Sequence, residues 1–222
     1  MCTASSECAL RNACVAGRCQ PDKPTVKPAV DNARRIVLRP IDVGYVRSGA
    51  GAAHGALPTV FVLGHEGGKL FLRFAASLPR ASNVVEAYVV LHRATVVDDD
   101  PAPISIHATR ITESWEGGSI SWALQPRNAE TRLPSTTVEP AGGALVRVDV
   151  RELVRHWPRH DPSDHGIAIL AENETRTGTT FALTADGAER ALVDHGSPGV
   201  SRSSLVSTST PDVEPYLELY VR

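Results

Sequence analysis

Apolar and polar residues alternate along most of this chain. In Lys69-Leu-Phe-Leu-Arg-Phe74, Leu70, Leu72 and Phe74 share one face. In Val84 to His92, Val85, Ala87, Val89 and Leu91 fall on one face, and Glu86, Tyr88 and His92 on the other. Ile104 and Ile106 alternate with Ser105 and His107, and Val146, Val148 and Val150 alternate with Arg147 and Asp149. Leu217, Leu219 and Val221 alternate with Glu218 and Tyr220. A period of two marks a strand with one face buried. Gly166 to Ala171 is apolar throughout, as expected of a strand covered on both faces.

Turn-forming stretches separate these runs: Gly49-Ala-Gly, Gly64-His-Glu-Gly-Gly68, Asp98-Asp-Asp-Pro101, Gly117-Gly118, Gly142-Gly143 and Pro211-Asp-Val-Glu-Pro215. One short helix is predicted. Asp149 can cap it, Val150, Leu153, Val154 and Trp157 follow a helical stripe, and Pro158 ends it. Many short strands with one helix predict an all-β, antiparallel β-sandwich rather than a βαβ fold.

Length and cysteines add a second part. The chain has 222 residues, enough for one large β-domain and a small appendage. All four cysteines, Cys2, Cys8, Cys14 and Cys19, precede residue 20. That clustering predicts a small disulfide-rich segment and hence an oxidising, extracellular or cell-surface location. Of three connectivities, Cys2–Cys14 with Cys8–Cys19 is favoured because it interlocks two loops, each worth about 3 kcal/mol in the chain-entropy model. Zinc fits poorly, because the segment has no His and no Cys-x-x-Cys pair. A lipidated Cys2 would leave one cysteine unpaired. Pro21, Pro24 and Pro28 predict a semi-rigid linker. The expected organisation is therefore a Cys-rich module over 1–20, a linker over 21–33 and a sandwich over 34–222.

Net charge −2 and a pI near 6.4 give no general attraction to nucleic acid or anionic membrane. No apolar run approaches the roughly 20 residues that cross a bilayer. No signal peptide is visible, and Met1 stands directly before Cys2, as in a mature form with an added methionine.

The order of fragments resembles the DNRLRE-type domain, also treated as a family 96 carbohydrate-binding module and related to the disaggregatase repeat. The matching residues are Leu72-Arg-Phe74 with Leu78-Pro79, Ala87-Tyr-Val-Val-Leu91 and Trp115, Glu116, Ile120 and Trp122. Asp149, Val150, Val154 and Trp157 follow, then Gly166-Ile-Ala-Ile, and Ser207, Pro215-Tyr-Leu217 and Tyr220. The resemblance spans about 36–222. It departs at Phe74-Ala-Ala-Ser, where the family carries an Asp, and at Ala185 to Ser204, which looks inserted. It implies a jelly-roll sandwich of secreted or surface proteins, with acidic polysaccharide among the family's ligands. The Cys-rich segment resembles short repeats near the start of secreted myxobacterial proteins, with Gly17 in the expected place.

Candidate chemistry is sparse. The eight His are scattered without a metal-ligand spacing, and His65-Glu66 lies in a glycine turn. Gly196-Ser-Pro-Gly199 lacks the spacing of a nucleophile elbow. Glu113 and Glu116 flank Trp115 and read as part of a turn rather than as a hydrolytic pair. Asp98, Asp99 and Asp100 offer hard oxygen ligands for Ca²⁺, against the alternative of a solvated acidic turn. No other cofactor is expected. For sugar binding, Arg73, Tyr88, His92, His107 and Arg147 are the expected ligand residues, on the outward faces of their strands. Trp115, Trp122 and Trp157 are expected in the core.

The functional expectation is a non-catalytic module that binds a polysaccharide or acts in adhesion. The alternative is a surface protein that associates with itself or docks another surface protein through sheet edges. A lyase or hydrolase ranks last.

Overall fold

The computed structural model describes residues 32–49, 58–75, 78, 82–94, 102–130, 133–140, 145–155, 157, 165–183 and 214–222, and the backbone of 12–15 and 18–21. The expected Ca²⁺ ligands Asp98 to Asp100, the cysteines Cys2 and Cys8, and the Ala185 to Ser204 segment lie outside the described residues.

Among the described residues the strands are β1 (Asn12–Val15), β2 (Arg18–Pro21), β3 (Arg34–Leu38), β4 (Pro40–Val46), β5 (Val60–Leu63), β6 (Lys69–Phe74) and β7 (Val84–His92). They continue with β8 (Ile104–Arg110), β9 (Thr136–Val138), β10 (Leu145–Asp149), β11 (Ile167–Ala171), β12 (Thr179–Ala182) and β13 (Tyr216–Val221). All pairings between these strands are antiparallel. A four-stranded sheet has the order β10-β7-β13-β3, and a five-stranded sheet the order β4-β6-β11-β8-β9. The protein is an all-β sandwich, as the alternation predicts.

The inward faces of the two sheets meet in one core. Ala87, Val89, Leu91, Val146, Val148, Leu217 and Leu219 come from one sheet, and Leu70, Leu72, Phe74, Ile104, Ile106, Ala108, Ile167 and Ile169 from the other. Each buried Leu, Ile or Val contributes roughly 1.5–3 kcal/mol relative to exposure, which fixes the register, since a one-residue slip would turn every such side chain outward. The two-stranded β5–β12 sheet caps one edge of this core with Phe61 stacked on Phe181 at 5.3 Å. Beyond β7, Arg93 bridges to Phe181, so β12 continues the four-stranded sheet's hydrogen bonding.

Three expectations need correction. At the start of β7, Val84 is buried and Val85 only half-buried, because the register shifts opposite Tyr220 and Val221. The helix is one turn, Arg151–Val154. Its N-cap is Val150, not the expected Asp149, whose Oδ1 accepts the Arg151 N–H at 2.9 Å from one position further out, and Val154 anchors it in the core. Trp157 is buried beyond the helix and lies 6.2 Å from Phe74. Trp122, finally, is 38% exposed and not a core residue. In the N-terminal hairpin, Cys14 stands opposite Cys19 in the β1–β2 register.

Candidate functional site

The expected ligand residues do not form one surface. Tyr88, His92 and Arg147 lie on the outer face of the four-stranded sheet, and Arg73 and His107 on the outer face of the five-stranded sheet. The sandwich core separates the two groups.

On the five-stranded side, Arg73 is a clamp rather than an open ligand group. Its Nη2 donates to Asp42 Oδ2 at 2.8 Å and its Nη1 to the Trp115 carbonyl at 3.2 Å. Its guanidinium lies 5.7 Å from the centre of the Trp115 ring. His107 is buried, with its Nδ1 3.7 Å from Glu172 Oε1. His107 departs from the expected solvated position, whereas Arg73 keeps 36% of its side chain exposed and is engaged by a loop that packs on this face.

That loop runs from Ile111 to Asn128 and is closed at its base by a bridge between those residues. Thr112 N–H donates to Arg127 O at 2.9 Å. Arg127 N–H donates to Glu113 Oε2 at 3.0 Å, which gives Glu113 a structural role. Inside the loop, Trp115 and Ile120 pack on Phe71, Val46 and Ala168 as a second small core. Trp115 Nε1–H donates to His165 O at 2.8 Å, satisfying the buried indole. Gly44 makes room for this cover: a Cβ there would stand 2.2 Å from Ile120 Cδ1. Asp42 closes the clamp by accepting the Gly117 N–H at 3.2 Å.

The far end of the same loop carries the feature that alternation could not find. Trp122 rests on the Gly67 backbone, where a Cβ would lie 2.5 Å from the ring. Gly67 has φ +63, a conformation that suits glycine, and its N–H is held by Glu174 Oε1 at 2.8 Å. The Lys69 ammonium stands 5.2 Å from the Trp122 ring centre and donates to Gln125 Oε1 at 2.7 Å. Gln125 Nε2 donates back to Trp122 O at 2.8 Å. Partial burial lowers the Lys69 pKa. Leu124, beside them, is exposed. A part-exposed indole, with an ammonium over its ring and an amide beside it, offers apolar surface to the CH groups of a pyranose and hydrogen bonds to its substituents. The only sequence signal was negative: 117–126 has no alternation, so Trp122 had no strand to point it inward.

On the four-stranded side, Arg147 is buried, against the expectation of a solvated residue. Its Nε donates to Glu218 Oε2 at 3.4 Å, and the two side chains are 1% and 0% exposed. Arg35 Nε donates to the other carboxylate oxygen, which also accepts the Tyr220 hydroxyl at 2.9 Å. The charge of Glu218 explains the burial of the arginine. Tyr88 is half-buried and its hydroxyl donates to Glu86 Oε2 at 3.2 Å. His92 lies 6.3 Å from the Tyr216 ring, and burial with the nearby Arg147 and Arg39 charges holds its pKa down at about 4. Val90, Leu145 and Tyr216 form a small buried cluster here.

Among the described residues, no group of three or more His, Cys, Asp or Glu could hold a metal ion, and no helix is long and apolar enough to cross a membrane. The family model described as carbohydrate-binding module family 96 matches residues 36–193, more than half of the chain. No curated protein matches it.

Proposed function

This chain belongs to carbohydrate-binding module family 96, and from that membership we propose that it is a non-catalytic, extracellular module whose Trp122 platform holds a polysaccharide chain. The observation that carries the reading is the part-exposed Trp122 ring with the Lys69 ammonium over it and Gln125 holding that ammonium. Lys69 favours a sugar bearing an acidic substituent, because a carboxylate could share its ammonium with the Gln125 amide. The extracellular assignment rests on the cysteine cluster at the start of the chain.

A glycan array spanning uronate, sulfated and neutral polysaccharides tests this reading. Retention of uronate polymers by the wild type, lost in Trp122→Ala, is expected. Equal retention by the two proteins would overturn it.

Self-association is the second reading. It is favoured by exposed Val37 on β3 and Ile41 on β4, which are edge strands of the two sheets. Light scattering over a wide concentration range tests it, and a strict monomer overturns it.

A further inference from the structure

The outer face of the four-stranded sheet is enclosed where a two-layer sandwich ordinarily leaves it open to water. Side chains standing side by side on a sheet screen one another's flanks but not their tips. Yet Leu145 and Arg147 from β10, Val90 from β7, and Tyr216, Glu218 and Tyr220 from β13 are all buried, with Val90, Glu218 and Tyr220 at 0% exposure.

The register gives the enclosed area its outline. Arg147, Val90 and Tyr216 stand in one row across β10, β7 and β13. Glu218 and Tyr220 continue it along β13, and Tyr220 pairs with Arg35, next to the start of β3. The buried residues thus form a band running obliquely from β10 to the first residues of β3. Its flanks are open, with Asp149 exposed on one side and Val37 on the other. So narrow an outline fits one extended stretch of chain rather than a further layer of sheet or helix. Tyr88, Arg147 and Tyr220 each engage a further partner besides those named above.

Both ends of the band meet the N-terminal part of the chain. Among the described elements, β1 of the N-terminal hairpin lies against β10. The second strand of that hairpin ends at Pro21, and β3 begins at Arg34 on the opposite edge of the sheet. Residues 22–33 therefore have to pass from the β10 side to the β3 edge, and the core fills the inner face. Three strand spacings across and four residues along make a diagonal of roughly 20 Å. Twelve extended residues reach about 40 Å, and Pro24 and Pro28 favour extended geometry.

We propose that the N-terminal hairpin and the proline-rich segment after it are laid across the outer face of the four-stranded sheet, as a built-in cover of the sandwich and not a spacer ahead of it. The cover keeps water from the Arg147–Glu218 pair. It also withdraws this face from glycans and from a second copy of the chain, and leaves the five-stranded side as the open surface. The proposal is independent of what Trp122 binds.

Photocrosslinking in the full chain tests it. One variant carries p-benzoylphenylalanine in place of Tyr88, which is half-buried beside the band, and another carries it in place of Leu124, exposed on the other side of the sandwich. Peptide mass spectrometry after irradiation locates the new bond. From position 88 the bonds should fall in residues 12–31, and from position 124 none should. If the Tyr88 variant does not fold, Glu86, half-buried opposite Tyr220, takes the same label with the same expectation. Bonds from position 88 to residues 184–213 would make that segment the cover, bonds between two chains would make it a second copy, and no bond at all would mean an uncovered face. Each of these results overturns the proposal, as do equal yields in residues 12–31 from positions 88 and 124.

Discussion

Arg147 and Glu218 form an ion pair on the outer face of a sheet, yet neither side chain reaches solvent: Nε and Oε2 are 3.4 Å apart and the side chains are 1% and 0% exposed. The carboxylate also binds Arg35 and Tyr220, so three strands, β10, β13 and β3, are tied together at one group.

Glu218→Gln should therefore cost stability well beyond a surface substitution. It leaves two guanidiniums facing each other without a counter-charge, and breaking a buried pair costs about 3–5 kcal/mol. Urea unfolding of the variant should show that loss. A change under about 0.5 kcal/mol, the size of a surface substitution, would contradict the assignment.

Trp115 and Trp122, seven positions apart in one loop, should behave as opposites. Trp115→Ala removes a buried indole and its hydrogen bond to His165, at about 3–5 kcal/mol. Trp122→Ala should move stability by less than about 1 kcal/mol and lower glycan affinity at least tenfold. Calorimetric titration beside thermal melts separates the two effects.

Gly67→Ala probes the support of the platform. The residue has φ +63, where a Cβ costs roughly 1–2 kcal/mol, and that Cβ would push against the Trp122 ring. Glycan affinity and melting temperature should both fall. Gly118→Ala in the loop that carries Trp122 meets nothing within 4 Å and should leave both unchanged.

His92 gives a pH signature. Its folded pKa is depressed to about 4 by burial, Arg147 and Arg39, from 6.5 when free. The unfolded state thus takes up a proton first as pH falls. The neutral ring's contribution is intact above pH 6.5 and is lost progressively between 6.5 and 4, by about 2 kcal/mol after allowing for solvent screening of a half-buried ring. Denaturant titrations at pH 7 and pH 4.5 should show a smaller pH dependence in His92→Gln. An unchanged slope would count against the depressed pKa.

Alternation made β6, β7, β8, β10 and β13 legible, because the two-residue repeat of a strand is a local property of the backbone, and an unbroken apolar run marked β11. It also read Arg73, Tyr88, His92, His107 and Arg147 as outward-facing, and each does point away from the main core. It could not say that outward means two opposite surfaces, nor that Arg73 would meet Asp42 and Trp115 there. The Trp122 platform was illegible for a related reason: 117–126 follows no period, and what orients Trp122 is Gly67 and Lys69, more than fifty positions upstream.

The sequence by itself determined six of the strands, most of their inward side chains and the class of fold, because burial of alternate residues follows from covalent geometry and the hydrophobic effect. Only the tertiary structure decided which strands share a sheet, which outward residues a loop or a counter-charge encloses, and which tryptophan stays part-exposed. Those outcomes depend on contacts between residues far apart in the chain, where register, close approach at Gly44 and Gly67, and the single carboxylate of Glu218 select among arrangements that the local pattern leaves equal.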